Sequence, residues 1–172
     1  MAEQHPPHDG GSPCPHVGKL TGAQVAHIAI SSVAATMADD FLMLVPTAGH
    51  RRRGTAGLTR TVVDLRRKLT ELMARAITAD RMDGADWADI GAALGMDPDL
   101  VAYHYAHLDW THMADDPQAV WDAFRPNCVA QLHDSCDEDP AVAAAKLDVW
   151  YHRHADPHEA APVPADAVTA GL

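Results

Sequence analysis

Between Leu58 and Ala76, apolar residues stand at steps of four, three, four, three and four: Leu58, Val62, Leu65, Leu69, Leu72 and Ala76. Only a helix lines up residues at those steps, since a strand would need apolar residues at every second position. A seam of this kind wants an antiparallel helix against it. The preceding segment supplies one. Val25, Ile28, Ala29, Val33, Met37, Phe41 and Leu44 recur at similar steps, Thr21 is suited to cap the start, and Pro46 is expected to end it. The second helix is expected from about Leu58 to Arg81, after a loop over 46–57.

Composition agrees with a helical chain. Ala occurs 32 times and aromatic residues are 5% of the 172, a bias toward helix over sheet. Further helix starts are marked by Asp97-Pro98, Asp116-Pro117 and Asp139-Pro140, where Asp caps and Pro is preorganised for the first turn. The last of these opens a helix from Ala141 to about Arg153, with Val142, Leu147, Trp150 and Tyr151 as its apolar side. The expected fold class is all-α, a helical bundle containing a helix-turn-helix. It would comprise one helical domain over 21–155, with Pro- and Gly-rich flexible tails at 1–20 and 156–172.

The most informative stretch is Trp87 to Tyr105. A helix-turn-helix needs apolar residues to pin two short helices, a small residue where they cross and a Gly in the turn. Ile90, Leu94, Met96 and Val101 fall at the pinning positions, Gly91 at the crossing and Gly95 in the turn, with Asp86 as cap. This pattern resembles the helix-turn-helix of sigma-factor region 4 and of small bacterial regulators related to it. The resemblance covers about residues 58–108, with the motif itself at about 86–107 and the helix before it as support. It implies a DNA-binding transcription regulator whose second motif helix enters the major groove.

Charge is distributed unevenly around that motif. The formal net charge is −11, composed of −3 over residues 1–50, +6 over 51–81 and −14 over 82–172. In a DNA reader, the early exposed positions of the second motif helix carry groups that meet phosphates and base edges. Here they are Asp97, Pro98, Asp99, Ala102 and Tyr103. Two like unit charges about 4 Å apart repel by about 1 kcal/mol in water and about 4 kcal/mol at an effective dielectric of 20. The basic residues precede the motif. Arg51, Arg52, Arg53, Arg60 and Arg67 are the candidates for phosphate contact, and Tyr103, His104 and His107 for approach to double-stranded DNA. The same arginines also suit a solvated face that pairs with the acidic remainder. The competing expectation is a non-enzymatic protein-interaction module, a degenerate helix-turn-helix that binds a basic or apolar protein partner or forms a homodimer through the long seams.

Other chemistries find little support. Cys128, His133 and Cys136 have the spacing C-x4-H-x2-C, which supplies three of the four ligands of a closed zinc site. His104 and His107 lack partner ligands, and His5, His8, His16 and Cys14 crowd the N-terminal segment. No metal or other cofactor is expected. There is no phosphate-binding Gly loop, nucleophile elbow or H-E-x-x-H, so no catalytic residue is assigned and no enzyme is expected. Three Cys are too few for a disulfide framework. The first residues lack the basic and apolar regions of a signal peptide. The apolar stretch 23–45 contains Asp39 and Asp40 side by side, which argues against a membrane span. A cytoplasmic protein is expected. The excess of Arg over Lys and the abundance of Ala are what a GC-rich genome produces.

Overall fold

Five of the six α-helices among the described residues begin on a side chain that satisfies their free amide groups. Thr21 and Gln24 cap each other's backbone at the start of the first. Asp86, Asp97, Asp116 and Asp139 each accept from backbone N–H groups at the starts of four others. The computed structural model describes residues 20–45, 56–124, 139–154 and 167–171. Within these lie α1 (Gly22–Leu42), α2 (Gly57–Met82), α3 (Trp87–Leu94), α4 (Pro98–Tyr105), α5 (Pro117–Phe124) and α6 (Pro140–His154). Short 3-10 turns at Ala106–Leu108 and Thr111–Met113 follow α4. No strand occurs among the described residues, so the chain is all-α.

α1 is the central helix. Val25, Ala26, Ile28, Ala29 and Ala35 form the main core with Val120, Trp121 and Phe124 of α5 and Ala143, Ala144 and Leu147 of α6. Its other side meets α2 through Val33, Met37 and Leu65, with Leu44 and Leu72 packed alongside. At the start of α1 the backbone approaches the turn before α5 so closely that a Cβ on Gly22 would lie 2.6 Å from the Ala114 carbonyl oxygen. α1 has the length and hydropathy of a membrane span, with a third (33%) of that window buried inside the protein. Its two adjacent carboxylates are both engaged within the chain. Asp39 accepts from the Trp150 indole at 3.2 Å, and Asp40 from Lys68 at 2.6 Å.

The seam between α1 and α2 differs from the expected one. Leu65 is buried, but Leu58, Val62 and Leu69 are more than half exposed. The line on α2 that faces the protein runs instead through Leu65, Lys68, Leu72, Arg75, Ala79 and Met82. It keeps the three-and-four rhythm but is turned toward the polar side. Two cations sit in it because each has a partner. Lys68 pairs with Asp40. Arg75 donates to the Ala29 carbonyl at 3.0 Å, pairs with Glu71, and lies 5.2 Å from the Phe124 ring centre. A reading restricted to apolar residues passes over such positions. α1 also stops at Leu42, before Pro46, and Phe41 is 53% exposed rather than buried in the pair.

On α6 the buried side is Pro140, Ala143, Ala144, Leu147 and Asp148, while Val142 and Tyr151 face out. Ala143 and Ala144 let α6 approach α1 closely, and Leu147 and Trp150 complete the contact. Within the stretch expected as a C-terminal tail, Val168 and Thr169 are held by Asp148. Its carboxylate accepts from the Val168 and Thr169 amides and the Thr169 hydroxyl at 2.7–3.1 Å.

Candidate functional site: the α3–α4 pair and its acidic face

α3 and α4 lie where the two arms of the expected motif would be, and their packing fits it. Their core is Ile77 of α2 with Ile90 and Val101, and Trp87, Leu94, Met96 and Tyr105 pack around it. Gly95 ends α3 in the left-handed conformation at φ 66°, which glycine adopts without steric cost. At Gly91 a Cβ would lie 3.0 Å from the Met96 carbonyl oxygen and 3.3 Å from the Pro98 Cα. The small residue at the crossing is therefore there for space.

The unit is tied to the bundle through Arg81. Its guanidinium donates to Asp109 at 2.8 and 3.2 Å and to the Ala85 carbonyl at 2.5 Å, and lies 4.7 Å from the Trp87 ring centre. One side chain thus joins the end of α2, the start of α3 and the segment after α4. Burial alone would raise the Asp109 pKa. The hydrogen bonds from Arg81 and Thr111, with the guanidinium's charge, outweigh it and hold the carboxyl below its ordinary value. Thr78 adds a second tie, its hydroxyl donating to the Leu108 carbonyl at 3.1 Å.

The outward face of α4 carries Asp99, Leu100, Tyr103 and His104. Tyr103 is 82% exposed and Leu100 46%. The Tyr103 ring meets His104 edge-on at 5.5 Å. His107 is exposed one turn later, and its carbonyl accepts from the Trp110 indole. The structure thus brings Tyr103, His104 and His107 to the surface of one short helical segment. Leu100 belongs with them, and the sequence reading passed over it because an apolar residue beside Val101 reads as core.

The arginines are elsewhere. Arg60 and Arg67 are exposed on the N-terminal half of α2, and Arg67 lies 3.8 Å from Asp64. Along the helix axis they stand about 25 and about 15 Å from Ile77, where the motif docks, at 1.5 Å per residue. Arg51, Arg52 and Arg53 lie outside the described residues, as do Cys128, His133 and Cys136. Among the described residues no group of three or more His, Cys, Asp or Glu is placed to hold a metal ion.

Apart from Arg81, which is paired with Asp109, the formal charge along the motif is negative. From Met82 to Phe124 the chain has nine Asp and neither Lys nor Arg. The helix N-termini, where phosphates would find free amides and the positive end of the helix dipole, are already filled. The Asp86 carboxylate takes the amides of Ala88 and Asp89. That of Asp97 takes the amides of Asp99 and Leu100, and Pro98 has no N–H to offer. Comparison with protein-family models, with curated proteins and with solved structures gives no match.

Proposed function

We propose that this chain is a non-enzymatic interaction module, in which a helix-turn-helix unit serves protein contact. The observation that carries this reading is the face of α4. An 82% exposed Tyr103 lies beside half-exposed Leu100, in a stretch from Met82 to Phe124 that has nine Asp and no Lys or Arg. A solvent-facing Tyr next to an aliphatic side chain is the kind of anchor that dominates protein interfaces. The surrounding carboxylates favour a partner with an apolar centre and a basic rim. Non-specific DNA binding, by contrast, draws its affinity from several cationic contacts to phosphate, and this surface has none. The uncovered residues Leu58, Val62, Leu69 and Met73 on α2 offer a second apolar surface, on which self-association is the other form of the same reading.

DNA binding is the second reading. It is favoured by the helix–Gly turn–helix geometry itself and by the exposed Arg60 and Arg67. The two readings separate in a titration of mixed-sequence duplex DNA across a salt series. A module for protein contact shows no binding at low salt. Affinity at 50 mM salt that falls steeply by 200 mM would establish phosphate contacts and overturn the interaction reading.

A further inference from the structure

The apolar residues that α2 leaves uncovered form an ordered row. Leu58, Val62 and Leu69 are 59%, 54% and 57% exposed, and Met73 37%. At about 100° per residue the four lie within an arc of about 60°, beside the face that packs on α1. Phe41 and Leu42, also more than half exposed, end α1 on the side of the α2 start, since Asp40 meets Lys68 and Ala29 meets Arg75. Single apolar side chains on a surface need no explanation, but a contiguous row marks a contact.

The steps along the row are four, seven and four, the same read from either end. A second α2 related by a two-fold axis and running antiparallel places Leu58 opposite Met73 of the second copy, and Val62 opposite its Leu69. Every position of the row then meets an apolar residue, which is the self-complementarity a two-fold contact requires.

Charge selects the same arrangement. The N-terminal half of α2 exposes Arg60, Arg66 and Arg67. Its one acid is Asp64, and the nearby Asp40 is taken by Lys68. The other half of α2 carries α3 and α4 through Ile77, and from Met82 to Leu108 the chain has five Asp and no Lys or Arg. In parallel, two α2 helices would set arginines against arginines. Antiparallel, the arginine end of each lies beside the acidic end of the other. Ile77 of the second copy then comes about 9 Å along the axis from Arg60, against about 25 Å within one chain. Arg66 borders the row at its centre, where its aliphatic stem covers apolar neighbours while the guanidinium stays in water.

We infer that α2 is the contact of a two-fold homodimer, in which two copies of the chain pair antiparallel along Leu58, Val62, Leu69 and Met73. The inference rests on the reading of the chain as an interaction module and names one partner, a second copy.

The test is sedimentation equilibrium of the full chain across a concentration series. The mass is expected to rise from 18.5 kDa and to level at twice that value. Val62→Lys and Leu69→Glu are each expected to weaken the dimer at least tenfold. An equimolar mixture of the two is expected to associate at least tenfold more tightly than either alone, because the register sets the new ammonium of one copy against the new carboxylate of the other. Both positions are exposed in the single chain, and an unchanged far-UV circular dichroism spectrum establishes that each variant is folded. Mass that grows past the dimer, affinity unaltered by either substitution, or a mixture no tighter than its components would each overturn the antiparallel two-fold contact. A chain that stays at 18.5 kDa throughout would overturn the homodimer alone. It would leave the α4 face to a different protein, a reading that the DNA titration decides separately.

Discussion

Arg81 is the side chain on which most of the local architecture converges. It meets Asp109, the Ala85 carbonyl and the Trp87 ring, and both partners of the ion pair are about four-fifths buried (19% and 25% exposed). A charge-assisted pair in that setting exceeds a surface ion pair in weight. Replacing Arg81 by Ala leaves the Asp109 carboxylate without its main donor, at an expected cost of about 1.5–3 kcal/mol. The pH dependence has a definite sign. The folded-state pKa of Asp109 is depressed, so the unfolded chain binds the proton more readily. The stabilisation is complete above the ordinary carboxylate value, near pH 4, and is lost as pH falls through the lower folded value. Thermal melts of Asp109→Asn between pH 2 and 7 are therefore expected to show a shallower acid limb than the parent, with lower stability at neutral pH. An unchanged acid limb would remove Asp109 from the acid response.

At the scale of elements, α2 shows both the reach and the limit of the sequence pattern. The rhythm of three and four identifies a long helix with an antiparallel partner, and its bounds are legible to within a residue at each end. The face it buries is not. Lys68 and Arg75 lie in the contact because Asp40, Glu71 and the Ala29 carbonyl meet them from α1 and from α2 itself. Those partners become visible only once the helices are placed. The same blindness hid Leu100, and on α6 it favoured Val142 and Tyr151 over the alanines that touch α1. Asp-Pro starts, by contrast, were readable because capping is decided within four residues. The displaced seam has a direct energetic signature. Leu65 is 6% exposed and Leu69 57%. Leu65→Ala is expected to cost about 2–5 kcal/mol, and Leu69→Ala within about 0.5 kcal/mol. Chemical denaturation of the two variants checks this, and similar losses at both positions would restore the seam read from spacing alone.

For the molecule as a whole, the described residues divide into unequal cores. α1 gathers α2, α5 and α6 around a large shared cluster. α3 and α4 close over a smaller one, Ile77, Ile90 and Val101 with their neighbours. Charge follows the same division, since the exposed arginines Arg60 and Arg67 sit on the half of α2 remote from the acidic motif. The α3–α4 pair was legible because its constraints are local: a cap, a crossing Gly, a turn Gly and a few pinning residues within nineteen positions. Its attachment was not, because Arg81 and Asp109 are 28 residues apart. A small cluster held by one cation and one Thr hydroxyl opens more readily than the bundle around α1, since local stability follows buried apolar contact. Amide hydrogen exchange is therefore expected to be faster across Trp87–Tyr105 than across Val25–Met37 under native conditions. Arg81→Ala should speed exchange in α3 and α4 by about tenfold or more, as a loss of about 1.5 kcal/mol requires, and leave the α1 amides near the parental rate. Equal acceleration in both regions would mean that the motif and the bundle open as one cooperative unit, with Arg81 part of a single core.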